Sequence, residues 1–218
     1  ERDAARNVIN GYTLRADSRR KKAEQAKDRQ VKLQMEENAL ASRIKLLAEM
    51  EKVHEGYSKA VKLVMGEAQK GALRNVHGPV SQLIRTEDAY TVAIEIALGG
   101  ALQQIVVDNE QDGKAILSYL KRTNGGRTTV IPISNAKGKS LQETGLEKCR
   151  GFVGIASQLI KFDKKYDNLM ADLLGRIVIV ENIDFAIAMA KKYGNRFKIV
   201  TLDGQVINSG GSMTGGSG

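Results

Sequence analysis

The residues of this chain that could do chemistry are few and scattered. Two histidines, His54 and His77, and one cysteine, Cys149, stand among 218 residues, with no CxxC pair and no metal-ligand spacing. Cys149 lies between Lys148 and Arg150, a setting that favours a thiolate, yet a lone cysteine in a polar loop has no base to work with. His77 precedes Gly78-Pro79 and has no carboxylate or serine at a catalytic spacing. Asp108 and Glu181 each follow a β-branched run, the strand end at which α/β folds place ligands. Neither has a histidine or a nucleophile beside it in sequence, so their plainer role is to favour the start of a helix electrostatically. Ser157 and Tyr166 likewise lack partners. No GxxxxGK[ST] occurs, which leaves this stretch without a Walker-type phosphate loop. Catalysis has no positive support, and no cofactor or metal is expected.

What remains is the chemistry of bare backbone. The stretch Gln205 to Gly216 carries two glycine pairs, Gly210-Gly211 and Gly215-Gly216, around Ser212-Met213-Thr214. Glycine is costly in ordered structure unless the chain needs positive φ or another backbone must come close, so the doublets point to a turn or a close-packed interface. An anion-binding nest is the other use of such a loop, but no helix sequence and no lysine follows to complete one.

Several elements must hold that segment. From about Thr13 to Glu55 there is no glycine or proline and strong helix formers dominate. Steps of seven give Tyr12, Arg19, Ala26, Leu33, Leu40, Leu47 and His54, with Ala16, Ala23, Gln30, Glu37 and Ile44 as companions. This seam is too polar to stand alone and predicts a partner helix along a rod of about 65 Å. Its basic run Arg19-Arg20-Lys21-Lys22 reads as a solvated face. Gly56-Tyr57 interrupts the rod, and Ala60, Val61, Val64 and Met65 resume a narrow apolar stripe until Gly66 and Gly71.

Short β-branched runs then alternate with amphipathic helices. Thr86 is placed to cap a helix that buries Ala89, Val92, Ala93, Ile96 and Ala97 and ends at Gly99-Gly100. A strand follows over 104–107. Asn109 starts a helix with Ala115, Ile116, Tyr119 and Leu120 inward and Gly125-Gly126 beyond it, and the next strand spans 128–131. The pattern returns as Ile177 to Val180, a cap at Asn182, a helix through Ala186, Ile187 and Ala190 to Gly194, and a strand over 198–202. Asn109 and Asn182 are 73 apart, and Val130 and Val200 are 70 apart. Two related α/β halves follow from that spacing. The polar stretch 136–150 joins them, and Leu169, Met170, Leu173 and Leu174 form a further helix stopped by Gly175.

Composition sets the outer limits. A chain with 42% hydrophobic residues can pack a core, and a formal charge of +9 favours a polyanion, nucleic acid first. No apolar stretch reaches the roughly 18 residues of a membrane span, and the first residues lack a signal-peptide core. With one cysteine, a reducing cytoplasm fits. A first residue other than Met reads as an excised fragment.

Gly56-Tyr57 with Ala60-Val61-Lys62 and Val64-Met65, then Val76-His77-Gly78-Pro79-Val80, and finally Gly210-Gly211-Ser212-Met213-Thr214-Gly215-Gly216 together resemble the hinge of bacterial structural-maintenance-of-chromosomes (SMC) proteins. The resemblance implies an arm segment over 1–55, a transition helix over 56–75 and a hinge over 76–218, with subdomains at about 76–135 and 151–218. The fold it implies is a mixed α/β (α+β) hinge of two related subdomains, preceded by a long coiled-coil helix. It implies a homodimer joining two arms, with Gly210, Gly211, Gly215 and Gly216 at the contact and Val206 and Ile207 beside them. Weak, sequence-independent DNA binding is implied as well, with Lys59, Lys62, Lys70 and Arg74 as candidates and Lys121, Arg122 and Arg127 as an alternative patch. Membrane is not an expected partner, accessory subunits are expected only at ATPase heads outside this segment, and the expected setting is the nucleoid-associated cytoplasm. An α/β nucleotide- or small-molecule-binding enzyme domain with a helical extension is the alternative, and a deep pocket lined by ionisable groups would mark it. A coiled-coil adaptor for RNA or acidic proteins is a third reading. With 5% aromatic residues and no Trp it lacks the stacking platform of single-strand readers.

Overall fold

The computed structural model describes residues 2–54 and 56–216, with the side chains of 46–54 outside the description. Internal contacts divide the chain into two units, Glu1–Gly56 and Tyr57–Gly218. The first is helix α1 (Arg2–His54), which begins well before the expected Thr13 and runs through Asn10-Gly11. One interior glycine costs about 1 kcal/mol, and the alanine- and arginine-rich flanks offset it. Every described side chain of α1 is exposed, the seam residues Tyr12, Leu33, Leu40 and Ile44 included. The seam's Leu47 and His54 and the expected boundary at Glu55 lie outside the described side chains and residues, as do positions 217–218 of the expected hinge.

The second unit opens with α2 (Lys59–Gln69), capped by Ser58. Its apolar stripe Ala60, Val61 and Val64 is buried, and the helix passes through Gly66, which therefore does not end it. Then come β1 (Val76–Pro79), the single turn α3 (Val80–Leu83), β2 (Arg85–Thr86), α4 (Thr91–Leu98), β3 (Ile105–Val107), α5 (Glu110–Thr123) and β4 (Val130–Pro132). After the connection 133–151 follow β5 (Phe152–Ile155), β6 (Ile160–Lys161), α6 (Asp167–Leu174), β7 (Ile177–Val180), α7 (Ile183–Tyr193), β8 (Lys198–Thr201), β9 (Val206–Ile207) and β10 (Met213–Thr214).

The duplication seen in sequence is more complete in space. β1 pairs antiparallel with β3, and β3 parallel with β4. β5, β7 and β8 reproduce that arrangement, including an irregularity after the first residue of the leading strand, between Val76 and Gly78 and between Phe152 and Gly154. Registers make Ile131, not Val130, the counterpart of Val200, because Val106 pairs with Ile131 and its equivalent Ile179 pairs with Val200. Both crossover helices start on an asparagine cap: Asn109 accepts from the amides of Gln111 and Asp112, and Asn182 from that of Phe185. Such a cap stabilises a helix by about 1 kcal/mol.

The halves meet on a local two-fold. Strands β2 and β6 form a separate antiparallel ribbon in which Arg85 lies opposite Lys161, its own counterpart in the other half. Thr86 is therefore a strand residue and not the expected helix cap; its hydroxyl donates to the Leu159 carbonyl. Helix α4 starts instead at Thr91 and buries Ala93, Ile94, Ala97 and Leu98. The expected inward residues Ala89, Val92 and Ile96 are exposed: Ala89 lies in the turn before α4, and the turn at Gly204, which has positive φ, meets only the edge of Val92 and Ile96. Ala115 on α5 is also exposed, contrary to expectation, and the left-handed stop of that helix is Asn124, before Gly125. One hydrophobic cluster draws on both halves, with Val80, Ala93, Ile94 and Val106 against Ala156, Leu169, Met170, Ile179 and Val200.

Candidate functional site

The glycine-rich segment folds as a hairpin. β9 lies between β8 and β10, with Ile207 opposite both Ile199 and Met213, and Val206 opposite both Val200 and Thr214. Val206 and Ile207 are thus buried in the chain's own core, where Ile207 packs among Ala186, Met189, Ala190 and Phe197. Their side chains are committed inside the protomer. The loop between the strands closes with the Asn208 amide donating to the Ser212 carbonyl and that of Gly211 to the Asn208 carbonyl. Gly210 and Gly211 adopt φ of 91° and 93°, a region that side chains disfavour. A Cβ at Gly211 would also press on the Asn195 side chain at 3.2 Å. Around Gly210 and Gly216 there is open space.

β10 is the outer edge of a five-stranded sheet in the order β10-β9-β8-β7-β5. Because Asn208 and Ser212 are hydrogen-bonded to each other, antiparallel alternation turns the Met213 amide and carbonyl toward the open edge. The Met213 side chain is 57% exposed. An edge of this kind is a template for another strand.

A second open edge sits in the first half. The three-stranded sheet runs β1-β3-β4, so β4 is terminal, whereas its counterpart β8 is covered by β9. Beside β4 lies a groove lined by Gly113, Leu117, Val130 and Pro132, with Lys114 and Lys121 at its rim. Leu117 is 51% exposed, while Ala190, at the same position on α7, is 5% exposed under β9.

The other expected site residues are dispersed. Lys59 and Lys62 are exposed along α2, and Arg74 and Arg127 are exposed in loops. Lys70 donates to Glu67 at 2.9 Å, a hydrogen bond that raises the ammonium's pKa above its ordinary value and sets a carboxylate beside its charge. Lys121 and Arg122 are exposed in the last turn of α5, where the Arg122 guanidinium lies 5.9 Å from the Tyr119 ring centre. Sequence reasoning missed one cluster: His77 Nε2 is 2.5 Å from Asp108 Oδ1, and Nδ1 is 2.8 Å from the Tyr166 hydroxyl. Asp108 does therefore have a histidine neighbour, brought from β1, and Tyr166 has a partner too. This triad ties the halves together, with Tyr166 buried. No group of three or more potential metal ligands occurs among the described residues, and no described helix is long and apolar enough to cross a membrane.

Two related β-α-β halves fused through a shared core, with a glycine-rich hairpin at one sheet edge, define a hinge module. A family model described as SMC proteins Flexible Hinge Domain matches residues 73–190, more than half of the chain, and the chain belongs to that family. It is 39% identical over 175 residues to the chromosome partition protein Smc of Bacillus subtilis, covering 79% of this chain and 15% of that protein. The Clostridium kluyveri protein of the same name is 38% identical over 185 residues, covering 83% and 16%. The chain thus spans about 15% of the length of the curated relatives it matches. Among solved structures, an asymmetric dimer of the Geobacillus stearothermophilus SMC hinge domain superposes with a TM-score of 0.75 at 39% identity, over 82% of this chain and 73% of that one. The Pyrococcus furiosus SMC hinge domain gives 0.62 at 26% identity, over 80% and 88%. The enzyme alternative finds no support in these relatives.

Proposed function

We propose that this segment is the self-association joint of a chromosome-partitioning SMC protein, and that two copies join by pairing β10 of each with β4 of the other. The observation that carries the reading is the asymmetry between equivalent edges: β8 is covered by the chain's own β9, and β4 is bare. Two such pairings related by a two-fold close a ring and use up every copy of both edges. Antiparallel pairing is the orientation that fits. Both β-α-β crossovers are right-handed by rule, so turning the partner's sheet by a half-rotation about its normal leaves α7 and the partner's α5 on one face of a continuous eight-stranded sheet. Met213 shares the helix-side face with Ile207, and Val130 shares it with Ile105, so Met213 comes to rest over Val130 and against Leu117. Gly210, Gly211, Gly215 and Gly216 flank this strand and let the two backbones approach. A Geobacillus stearothermophilus relative is a dimer by its description, in keeping with the reading.

Sedimentation equilibrium tests it. The chain has a mass of 23.8 kDa and is expected to sediment at twice that value at micromolar concentration. Gly211→Glu and, independently, Met213→Pro, which removes the outward amide, are expected to give monomers of unchanged circular dichroism. Variants that remain dimeric refute the assignment, and a monomeric parent refutes self-association.

The same reading includes weak DNA contact through phosphates, supported by the +9 charge. Affinity is expected to fall steeply with salt and to show no preference among base sequences. ATP turnover, and the setting in the nucleoid-associated cytoplasm, belong to the whole protein on this reading.

A further inference from the structure

The first helices of the two halves, α4 and α6, are equivalent: each has 8 residues and follows a short helical turn that ends in tyrosine, Tyr90 or Tyr166. Val92 and Ile96 on α4 therefore correspond to Asn168 and Asp172 on α6. In the second half the outer face of the helix is covered by the chain's own connection. The amides of Lys137 and Lys139 donate to the Asp172 carboxylate at 2.8 and 2.7 Å, and the Leu141 amide donates to the Gly175 carbonyl at 2.9 Å. Gly138 lies against Asn168, where a Cβ would stand 2.6 Å from Oδ1. That face is made to hold backbone.

The outer face of α4 is made differently. Val92 and Ile96 accept no hydrogen bonds, so an extended chain laid on them would leave its amides without partners. Only the turn at Gly204 reaches both side chains. The chain then reverses at once into β9, with the Thr201 amide donating to the Gln205 carbonyl. Val92 stays 50% and Ile96 42% exposed. Among the described residues, the other large apolar side chains exposed on the second unit are Leu117 and Met213, which the proposed self-association contact covers. Ala89 before Val92 and Gly99-Gly100 after Ile96 lengthen the strip with small, exposed residues.

In a chain of net charge +9, the rim of this strip is acidic. Asp88 and Glu95 flank it on the helical turn and on α4, and Asp203 stands next to Gly204. All three are exposed, and none is in an ion pair among the described residues. The equivalents of Asp88 and Glu95 in the second half are Lys164 and Ala171, so this acidity is no part of the common frame. Lys198 is turned to the Ala97 carbonyl, 3.2 Å away on the side of α4 that faces the core.

We infer that the outer face of α4 receives an amphipathic helix of a partner protein, whose apolar side chains cover Val92 and Ile96 and whose lysines or arginines face Asp88, Glu95 and Asp203. A helix brings its backbone hydrogen bonds with it and presents side chains alone, which is what this strip accepts. The space around Gly99 and Gly100 is open and lets it approach closely. The same carboxylates repel nucleic acid and anionic lipid surfaces.

Methyl NMR of valine- and isoleucine-labelled protein tests the assignment. The probe is a synthetic leucine–lysine helix of about five turns with its leucines on one face, and the control is a scrambled peptide of the same composition. The amphipathic peptide is expected to shift the Val92 and Ile96 methyl signals to saturation. Its affinity is expected to fall about tenfold in Ile96→Ser, the effect of one lost apolar anchor, and to fall in Glu95→Lys by a factor that shrinks as salt rises. Both positions are exposed, and unchanged circular dichroism verifies that the variants fold. Equal binding of the scrambled peptide overturns the site, since charge alone then suffices. It is also overturned by peptide binding that leaves these methyls unmoved, by equal affinity in Ile96→Ser, or by no binding at all. Methyl shifts that follow the protein's own concentration without peptide make a second copy the occupant and overturn the partner helix.

Discussion

Residues 76–132 and 152–201 are two versions of one design, and they differ at a sheet edge and beside the crossover helix. The frame is common to both: a leading strand with an irregularity, a short ribbon strand, a helix, and a β-α-β crossover begun by asparagine. On the sheet edge, the second half carries the hairpin β9–β10 and the first half carries nothing. Beside the crossover helix, α2 fills the first half, whereas the second half has a cationic cavity. Duplication thus supplies an internal control: a feature present in both halves serves folding, and a feature in one half only is a candidate for assembly or binding.

The strongest way to break that comparison is to attack what the halves share. Met170 is fully buried in the core common to both, and Met170→Ala is expected to cost about 2–5 kcal/mol, with 57–218 melting in one calorimetric transition. Two separated transitions would show that the halves are independent. Next in size are the equivalent positions Ala190 and Leu117. Ala190→Asp buries an unpaired charge and is expected to lose several kcal/mol of stability, whereas Leu117→Asp changes chemical denaturation of the monomer by less than about 0.5 kcal/mol and raises the dimer dissociation constant at least tenfold. Similar stability losses at the two sites would remove the distinction between covered and open edges.

Asn109→Ala and Asn182→Ala are expected to cost about 1 kcal/mol each; a marked inequality would show that one cap is used for more than folding. The smallest effect concerns Lys198, whose ammonium donates to the Ala97 carbonyl at 3.2 Å across the halves. Burial pushes its pKa below the ordinary value, so in the window between the lowered value and the ordinary one the unfolded chain binds more protons. Stability is therefore expected to rise with pH across that alkaline window, and the rise should be missing in Lys198→Met. A slope retained in the variant would assign it to another group.

Much of this comparison was legible in sequence, and the parts that were not have a common cause. The run Ile177 to Val180, the caps Asn109 and Asn182 and the glycine stop at Gly194 are local signals, and each stands as expected. Thr86 was misplaced because a two-residue strand has no periodicity of its own; its partner Ile160 is distant in sequence. His77, Asp108 and Tyr166 meet only after β1, β3 and the turn before α6 are assembled, so no spacing along the chain announces them. The resemblance implies Val206 and Ile207 beside the contact, and no local signal reveals that the hairpin adds β10 outside them and buries their side chains within the chain. Gly66 and Gly11 show the limit of glycine as punctuation: in an interior helical turn its cost is only about 1 kcal/mol. The resemblance was carried by motifs far apart in the chain, and the family match over 73–190 falls on the repeated frame itself.

The central claim is that the bare edge of β4 receives β10 of a second copy. The most direct measurement is an intermolecular disulfide trap on a Cys149→Ser background, mixing chains that carry Met213→Cys with chains that carry Leu117→Cys under mild oxidation. The account predicts a covalent heterodimer that forms rapidly, at protein concentrations where the parent chain is dimeric. Chains that are dimeric in solution but yield no Met213→Cys to Leu117→Cys linkage would contradict it.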